Sequence, residues 1–199
     1  MNIIWNGHSC FTLDTAQGVV VLDPYQDGSV PGLSPLHLTA DLVLCSHEHK
    51  DHGAREMVTL TGKPVSLQVE ELPTFHDPEQ GALRGTNIIR IFTAEGLRVA
   101  HLGDLGCDLT PEQAEKLQGL DALVIPVGGY YTIDARQAKA LADALRPRVV
   151  IPMHYRSASF GYEVTGPLED YLALCGGENV VHYSGNTLEL TADTPAQTA

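Results

Sequence analysis

Asp41-Leu42-Val43-Leu44-Cys45-Ser46-His47-Glu48-His49-Lys50-Asp51-His52 is the stretch on which the fold turns. A short apolar run, long enough for one strand, empties into three histidines and an aspartate within six residues. The chain has nine histidines among 199 residues, so chance would place fewer than one in such a window. Each of these side chains can donate a lone pair to a borderline ion such as Zn²⁺. His47 and His49 sit two apart and point the same way in extended chain leaving a strand. Asp51 and His52 are expected to open a helix running to Leu60, where the N-terminal dipole suits a carboxylate and Gly62 and Pro64 close the segment. Four donors are too many for one tetrahedral ion that keeps an open position. The spacing suggests two adjacent metals.

Further donors are expected where other strands run out into loops, the usual address of functional residues on a rigid scaffold. Three positions qualify: His76 after Leu72 to Phe75, Asp104 after the strand ending at Leu102-Gly103, and His154 after Val149 to Met153. Gly103 lets the backbone approach closely, as a carboxylate shared by two ions requires. The strand pattern around them is legible. Short strands are expected over Ile3 to Trp5, Cys10 to Leu13, Val19 to Leu22, Leu42 to Cys45, Val65 to Val69 and Leu72 to Phe75. Residues 26–38 form a Gly/Pro/Ser-rich loop. Asn87 to Phe92 and Leu97 to Leu102 flank Glu95-Gly96 as a hairpin. Thr110-Pro111 caps a helix to Leu117. Strand Ala122 to Pro126, helix Ala135 to Leu145, strand Val149 to Ile151 and helix Pro167 to Leu174 alternate. Strands Asn179 to Tyr183 and Thr187 to Leu190 follow. Ala138, Leu141, Ala142 and Leu145 form a core face by helical spacing. One domain is expected over residues 1–190, with a frayed tail over 191–199.

Composition excludes several classes. Apolar residues make up 43% and charged residues 19%, as in ordinary globular chains. A net charge of −13 with pI ≈ 4.9 argues against a nucleic-acid-coating protein, which neutralises phosphates with Lys and Arg. No run approaches a membrane span, and the N-terminus lacks the segments of a signal peptide. Cys10, Cys45, Cys107 and Cys175 form no Cys-x-x-Cys pair, so buried thiols in a cytoplasmic chain are the simplest account. A homo-oligomer is left open.

Ser46-His47-Glu48-His49-Lys50-Asp51-His52, followed in order by His76, Gly103-Asp104 and His154, resembles the His-x-His-x-Asp-His signature of the metallo-β-lactamase-fold hydrolases. Gly7-His8-Ser9-Cys10-Phe11, Leu22-Asp23-Pro24, residues 126–132 and Pro152-Met153-His154-Tyr155 look most like the small bacterial branch related to L-ascorbate phosphate lactonase. The resemblance implies an α+β fold, an αββα sandwich of two mainly antiparallel or mixed β-sheets flanked by helices. It implies that His47, His49 and His76 hold one divalent ion, that Asp51, His52 and His154 hold a second, and that Asp104 bridges them. Zinc is the first expectation for both ions, with manganese, iron or nickel as alternatives. Asp51 and Asp104 are then the catalytic candidates, and Asp23 is expected to hydrogen-bond a ligand histidine. His8 and His101 could face the site. Arg84, Tyr130, Tyr131 and Arg156 lie on neighbouring loops and could bind a substrate anion or hydroxyl.

The expected chemistry is hydrolysis of a small anionic ester, lactone or phosphoester by a metal-bound hydroxide. Other readings come from other classes. A nuclease shares this fold, but the acidic balance counts against it. The flavin-partnered di-iron branch usually carries Glu where His49 stands. A mononuclear-iron sulfur dioxygenase retains much of the motif, and a non-catalytic metal-binding module would keep the donors without turnover.

Overall fold

A computed structural model describes residues 1–177 and 179–199 of the chain. Three strands open it, β1 (Asn2–Gly7), β2 (Cys10–Thr15) and β3 (Gly18–Leu22). A long loop leads to β4 (Leu38–Ala40) and β5 (Leu42–Leu44), and one 3-10 turn at Arg55–Met57 precedes β6 (Val58–Leu60). The order continues through β7 (Gln68–Phe75), β8 (Thr86–Ala94), β9 (Leu97–His101), α1 (Pro111–Lys116) and β10 (Ala122–Pro126). It ends with α2 (Ala135–Leu145), β11 (Val149–Met153), α3 (Leu168–Leu174), β12 (Thr187–Glu189) and β13 (Gln197–Thr198).

Two sheets result. The first has the order β12-β1-β2-β3-β5 and is antiparallel except for the β3–β5 pair. The second has the order β13-β11-β10-β9-β8-β7, parallel from β13 to β9 and antiparallel from β9 to β7. Strand β10 is buried along its whole length, as a strand covered on both faces must be. Alternating residues of the two sheets interdigitate between them: Ile3, Phe11, Leu13, Val20 and Leu22 meet Phe92, Val99, Val124 and Met153. On the far side of the second sheet, Ile89, Ile91, Leu123 and Ile125 pack on Leu117, Ala138, Leu145 and Tyr171 of the helical layer.

The first sheet is covered differently. Its outward residues Cys10 and Val21 pack on Tyr25, Val30, Leu36, Ala40 and Val58. These come from the loop after β3 and the small β4–β6 ribbon, where the αββα pattern calls for a helix. The helix expected over Asp51 to Leu60 is replaced by a tight turn, the 3-10 turn and β6. Val58 and Thr59 are β-branched and pair with Leu38 and Thr39. Backbone groups that a helix would use internally pair elsewhere: Ala54 N–H donates to the Pro24 carbonyl, and the Lys50 carbonyl accepts from Gln26 N–H.

Three other expectations change. Val65 to Val69 and Leu72 to Phe75 are not two strands; β7 spans Gln68–Phe75, with Pro73 tolerated because β7 is an edge. Asn179 to Tyr183 makes only an isolated bridge, Val180 to Thr198. Residues 191–199 are not a frayed tail: Arg148 Nη1 donates to the carbonyls of Thr191 and Ala192, and Gln197–Thr198 joins β11 as the sheet edge. The β8–β9 hairpin matches expectation, with Ala94 paired to Leu97 and Glu95 and Gly96 both at positive φ. Helix α2 matches to the residue, closed at its start by an Asp134–Gln137 capping box. All four cysteines are free, Cys10 and Cys45 buried and the others half-buried.

Candidate metal centre

The histidine hexapeptide leaves the end of β5 clamped by both sheets. Asp23, just past β3, accepts the Ser46 N–H and the Ser46 hydroxyl, each at 2.6 Å. From the second sheet, Ile88 N–H donates to the Ser46 carbonyl at 3.0 Å, and Arg90 Nη1 donates to the Cys45 carbonyl at 2.7 Å. The chain then reverses through a turn, with His52 and Gly53 N–H both donating to the His49 carbonyl. Asp51 therefore sits in a turn, not at a helix N-terminus.

Asp104 lies at the centre of the cluster. Its Oδ2 is 3.1 Å from His52 Nε2 and from His76 Nε2, 3.3 Å from His154 Nε2 and 3.8 Å from His47 Nε2. Asn87 accepts the Asp104 N–H at 2.9 Å while its amide donates to Thr74 Oγ1 and the Leu102 carbonyl. Gly103 has φ +55, and a Cβ there would collide with Asn87 Oδ1 and approach Ser46 Cβ at 2.5 Å. The glycine is what lets Asp104 reach this depth. Donor atoms within 4.8 Å of one another form three overlapping groups: His47, His49 and His76; His47, His52 and Asp104; and His8, Asp51, His52 and His154.

Tautomers follow from the far side of each ring. His52 Nδ1 donates to Asp23 Oδ2 at 2.8 Å, and His76 Nδ1 donates to the Tyr131 carbonyl at 3.0 Å. The Ser46 hydroxyl, having given its proton to Asp23, accepts from His47 Nδ1 at 2.9 Å. In each of these rings Nδ1 is engaged outward, so Nε2 is the nitrogen turned inward, as in a metal ligand. His47 Nε2, His52 Nε2, Asp104 Oδ1 and both nitrogens of His8 and of His154 are buried with no hydrogen-bond partner among the described residues. Buried polar groups are otherwise nearly always paired, so these atoms fit a cation.

Electrostatics divide the imidazoles, His8 and His47 being pushed down while Asp104 pulls His52 and His76 up against burial. Burial would raise the Asp104 carboxyl, but His154 and His52 hold it well below its ordinary value. Burial works the same way at Asp23, and the hydrogen bond and charge of His52 bring it down to about 2. Burial, then the neighbouring His52, push His47 down to about 3; burial, then His154, push His8 down to about 4. Burial opposes a charge on His52, yet Asp104 and Asp51 raise it well above the usual imidazole range. Ionised carboxylates beside neutral His8 and His47 are the protonation state that metal binding needs. Backbone strain marks the same place. His8, Asp23, Tyr130 and His154 are non-glycine residues with φ between 45 and 60. Such conformations cost about 1–3 kcal/mol each and persist where function holds them.

A cleft of about 330 Å³ opens over the cluster, lined by His49, Asp51, His76, Leu83, Arg84, Asp104, Tyr131 and Tyr162. The Arg84 guanidinium lies 5.7 Å over the Tyr131 ring and makes no ion pair among the described residues. Tyr162, which no sequence pattern singled out, shares its hydroxyl proton between the Ser29 carbonyl at 2.9 Å and Asp51 Oδ2 at 3.2 Å. Asp77, also missed, accepts four backbone N–H groups, from Glu79, Gly81, Leu83 and Arg84, and so fixes the loop that carries Arg84. Other expected contributors lie outside the cleft. Arg156 Nε is committed to the Thr165 carbonyl, and Tyr130 is 64% exposed. His101 uses both nitrogens on backbone, donating to the Ser9 carbonyl and accepting from Gly103 N–H, which leaves no lone pair for a ligand.

Residues 2–154 match the model of the beta-lactamase superfamily domain. A solved Thermotoga maritima structure, described as a candidate Zn-dependent hydrolase of the metallo-beta-lactamase superfamily, is 33% identical with TM-score 0.76, covering 99% of this chain and 95% of that one. A Thermoplasma acidophilum protein named a UPF0173 metal-dependent hydrolase is 27% identical over 79% of this chain and 84% of its own length. A Pyrococcus furiosus protein of the same group is 28% identical over 80% and 85%.

Proposed function

The chain belongs to the beta-lactamase superfamily, and from that membership we propose that it is a metal-dependent hydrolase of small anionic esters, lactones or phosphoesters with a dinuclear centre. The observation that carries this reading is the set of buried, unpartnered Nε2 atoms of His47, His52 and His154 converging on Asp104. His47, His49 and His76 would hold one divalent ion, Asp51, His52 and His154 the other, with Asp104 between them; zinc is the first expectation. When bound, such ions lower the pKa of water toward about 7 and polarise the bond to be cleaved.

The protein's own groups supply the rest. Asp23 and Ser46 lock the tautomers of His52 and His47, and the Tyr131 carbonyl locks that of His76. Asp51 lines the cleft, and its carboxylate oxygen left free of the ion would take the proton of the attacking water. Tyr162 stays protonated, because burial and the adjacent Asp51 raise its phenol. It can therefore donate to an oxygen that gains charge. Arg84 provides the cation that draws a phosphate or carboxylate to the rim of an otherwise acidic protein, with Tyr131 and Leu83 as the walls. No described helix is long and apolar enough to cross a membrane.

Metal analysis of the purified protein, paired with a screen of phosphodiesters, phosphomonoesters, lactones and thioesters under each metal, tests the proposal. Two equivalents of zinc or manganese with turnover of one ester class supports it. One iron per chain with oxygen uptake overturns it.

A further inference from the structure

His8 belongs to none of the ligand positions that the signature supplies, yet it is built into the centre. It sits in the turn between β1 and β2, where pairing slips at Trp5 and Gly7 so that Gly7 faces Cys10. Gly7 at φ +114 and His8 at φ +52 bend this turn inward. The backbone around it is held from both sides: Trp5 Nε1 donates to the His8 carbonyl at 3.0 Å, and His101 Nε2 donates to the Ser9 carbonyl at 3.0 Å. A histidine kept only for the turn would be expected to use its ring nitrogens locally. Here neither ring nitrogen has a partner among the described residues, and the side chain is 2% exposed. The ring lies 4.1 Å from that of His154 and 5.5 Å from that of His52.

The distances favour coordination over a hydrogen bond. His8 Nε2 is 3.4 Å from Asp51 Oδ2, and His52 Nε2 is 3.7 Å from the same oxygen. Ligand atoms at the corners of a tetrahedron with bonds of about 2.1 Å stand about 3.4 Å apart. The donor atoms of His8, Asp51, His52 and His154 all lie within 4.8 Å of one another.

Resting on the dinuclear hydrolase reading above, we infer that His8 is a further protein ligand of the inner ion, joining Asp51, His52, His154 and the shared Asp104. The two metal positions are then unequal. The inner one is closed by protein, as structural zinc sites are. The outer one has three histidines and the shared Asp104 and borders the cleft, where a substrate would reach it. His49 is the exposed member of that outer group.

The test is stepwise loading of the metal-stripped protein with Co²⁺ and Zn²⁺, comparing wild type with His8→Ala and His8→Asn. Asparagine tolerates positive φ, so the second variant spares the turn. Wild type should load in two steps, the tighter with its own visible Co²⁺ absorption band. In both variants that step should weaken tenfold or more and its band should change, while the other step stays within twofold. Folded variants that load both steps like wild type, with the same spectrum, overturn the inference and leave the hydrolase reading standing. Wild type that binds no metal overturns both. Zinc titration of ¹⁵N-imidazole-labelled wild type gives an answer that needs no variant. Six histidines should show coordination shifts: His8, His47, His49, His52, His76 and His154. Five shifted histidines, with His8 unmoved, would sink the assignment.

Discussion

The floor and the rim of the cleft are built on different terms. The floor consists of Asp23, Ser46, His52, Asn87 and Asp104, all 2% exposed or less. They are cross-linked by hydrogen bonds that join the first sheet to the second. The rim consists of Arg84, Tyr131 and Tyr162, carried on loops and partly open to solvent. A buried network is costly when any member loses its partner, whereas a loop side chain in water has substitutes. Floor substitutions should therefore strike metal content and folding together, and rim substitutions should alter turnover in a protein that stays folded and loaded.

Asp104→Ala should show the largest effect. It removes the carboxylate that faces four imidazoles and leaves their lone pairs without a shared counter-charge. Stoichiometry by elemental analysis should fall by one or both equivalents, and activity should fall with it. Full metal content and activity in this variant would break the distinction between floor and rim. Asp23→Ala comes next. It touches no proposed ion, but it strips Ser46 and His52 of their acceptor. Loss of such a supporting partner costs roughly 10–100-fold in metal affinity, readable by competition with a chelator. Unchanged affinity would show that the imidazoles are held by packing alone.

The metal donors were legible in sequence and most of the groups that support them were not, and the reason is physical. His47, His49, Asp51 and His52 declare themselves because four donors share six residues, and His76, Asp104 and His154 because strand ends are readable from apolar runs. What supports them is nonlocal. Asn87 is 17 residues from Asp104, and it meets that backbone only because β8 and β9 pair. Tyr162 is 111 residues from Asp51. The same distinction explains the misread helix after Asp51. Local pattern favoured a helix, but the Pro24 carbonyl, the Gln26 N–H and the β4 strand captured its backbone from elsewhere in the chain. Helix α2 was read to the residue because its caps and apolar face are local.

Arg84→Gln sharpens the comparison on the rim side. The guanidinium has no ion-pair partner among the described residues to lose, so stability and metal content should be unchanged. A charge-assisted hydrogen bond to substrate is worth about 1.5–3 kcal/mol. KM for an anionic substrate should therefore rise by roughly 10–100-fold at little change in kcat, and less for a neutral analogue. An equal rise for both would remove Arg84 from anion recognition.

Tyr162→Phe should have the smallest effect and the most selective one. It deletes one hydroxyl that is shared between the Ser29 carbonyl and Asp51, and it keeps the ring that packs on His8 and Tyr131. If the hydroxyl only steadies Asp51, the loss is a single hydrogen bond of about 0.5–1.5 kcal/mol and appears as slightly weaker metal binding. If it leaves Asp51 to donate to an oxygen that gains charge during cleavage, kcat falls severalfold while metal affinity and KM stay put. Measuring kcat, KM and metal affinity on this one variant assigns Tyr162 to the floor in the first case and to the rim in the second.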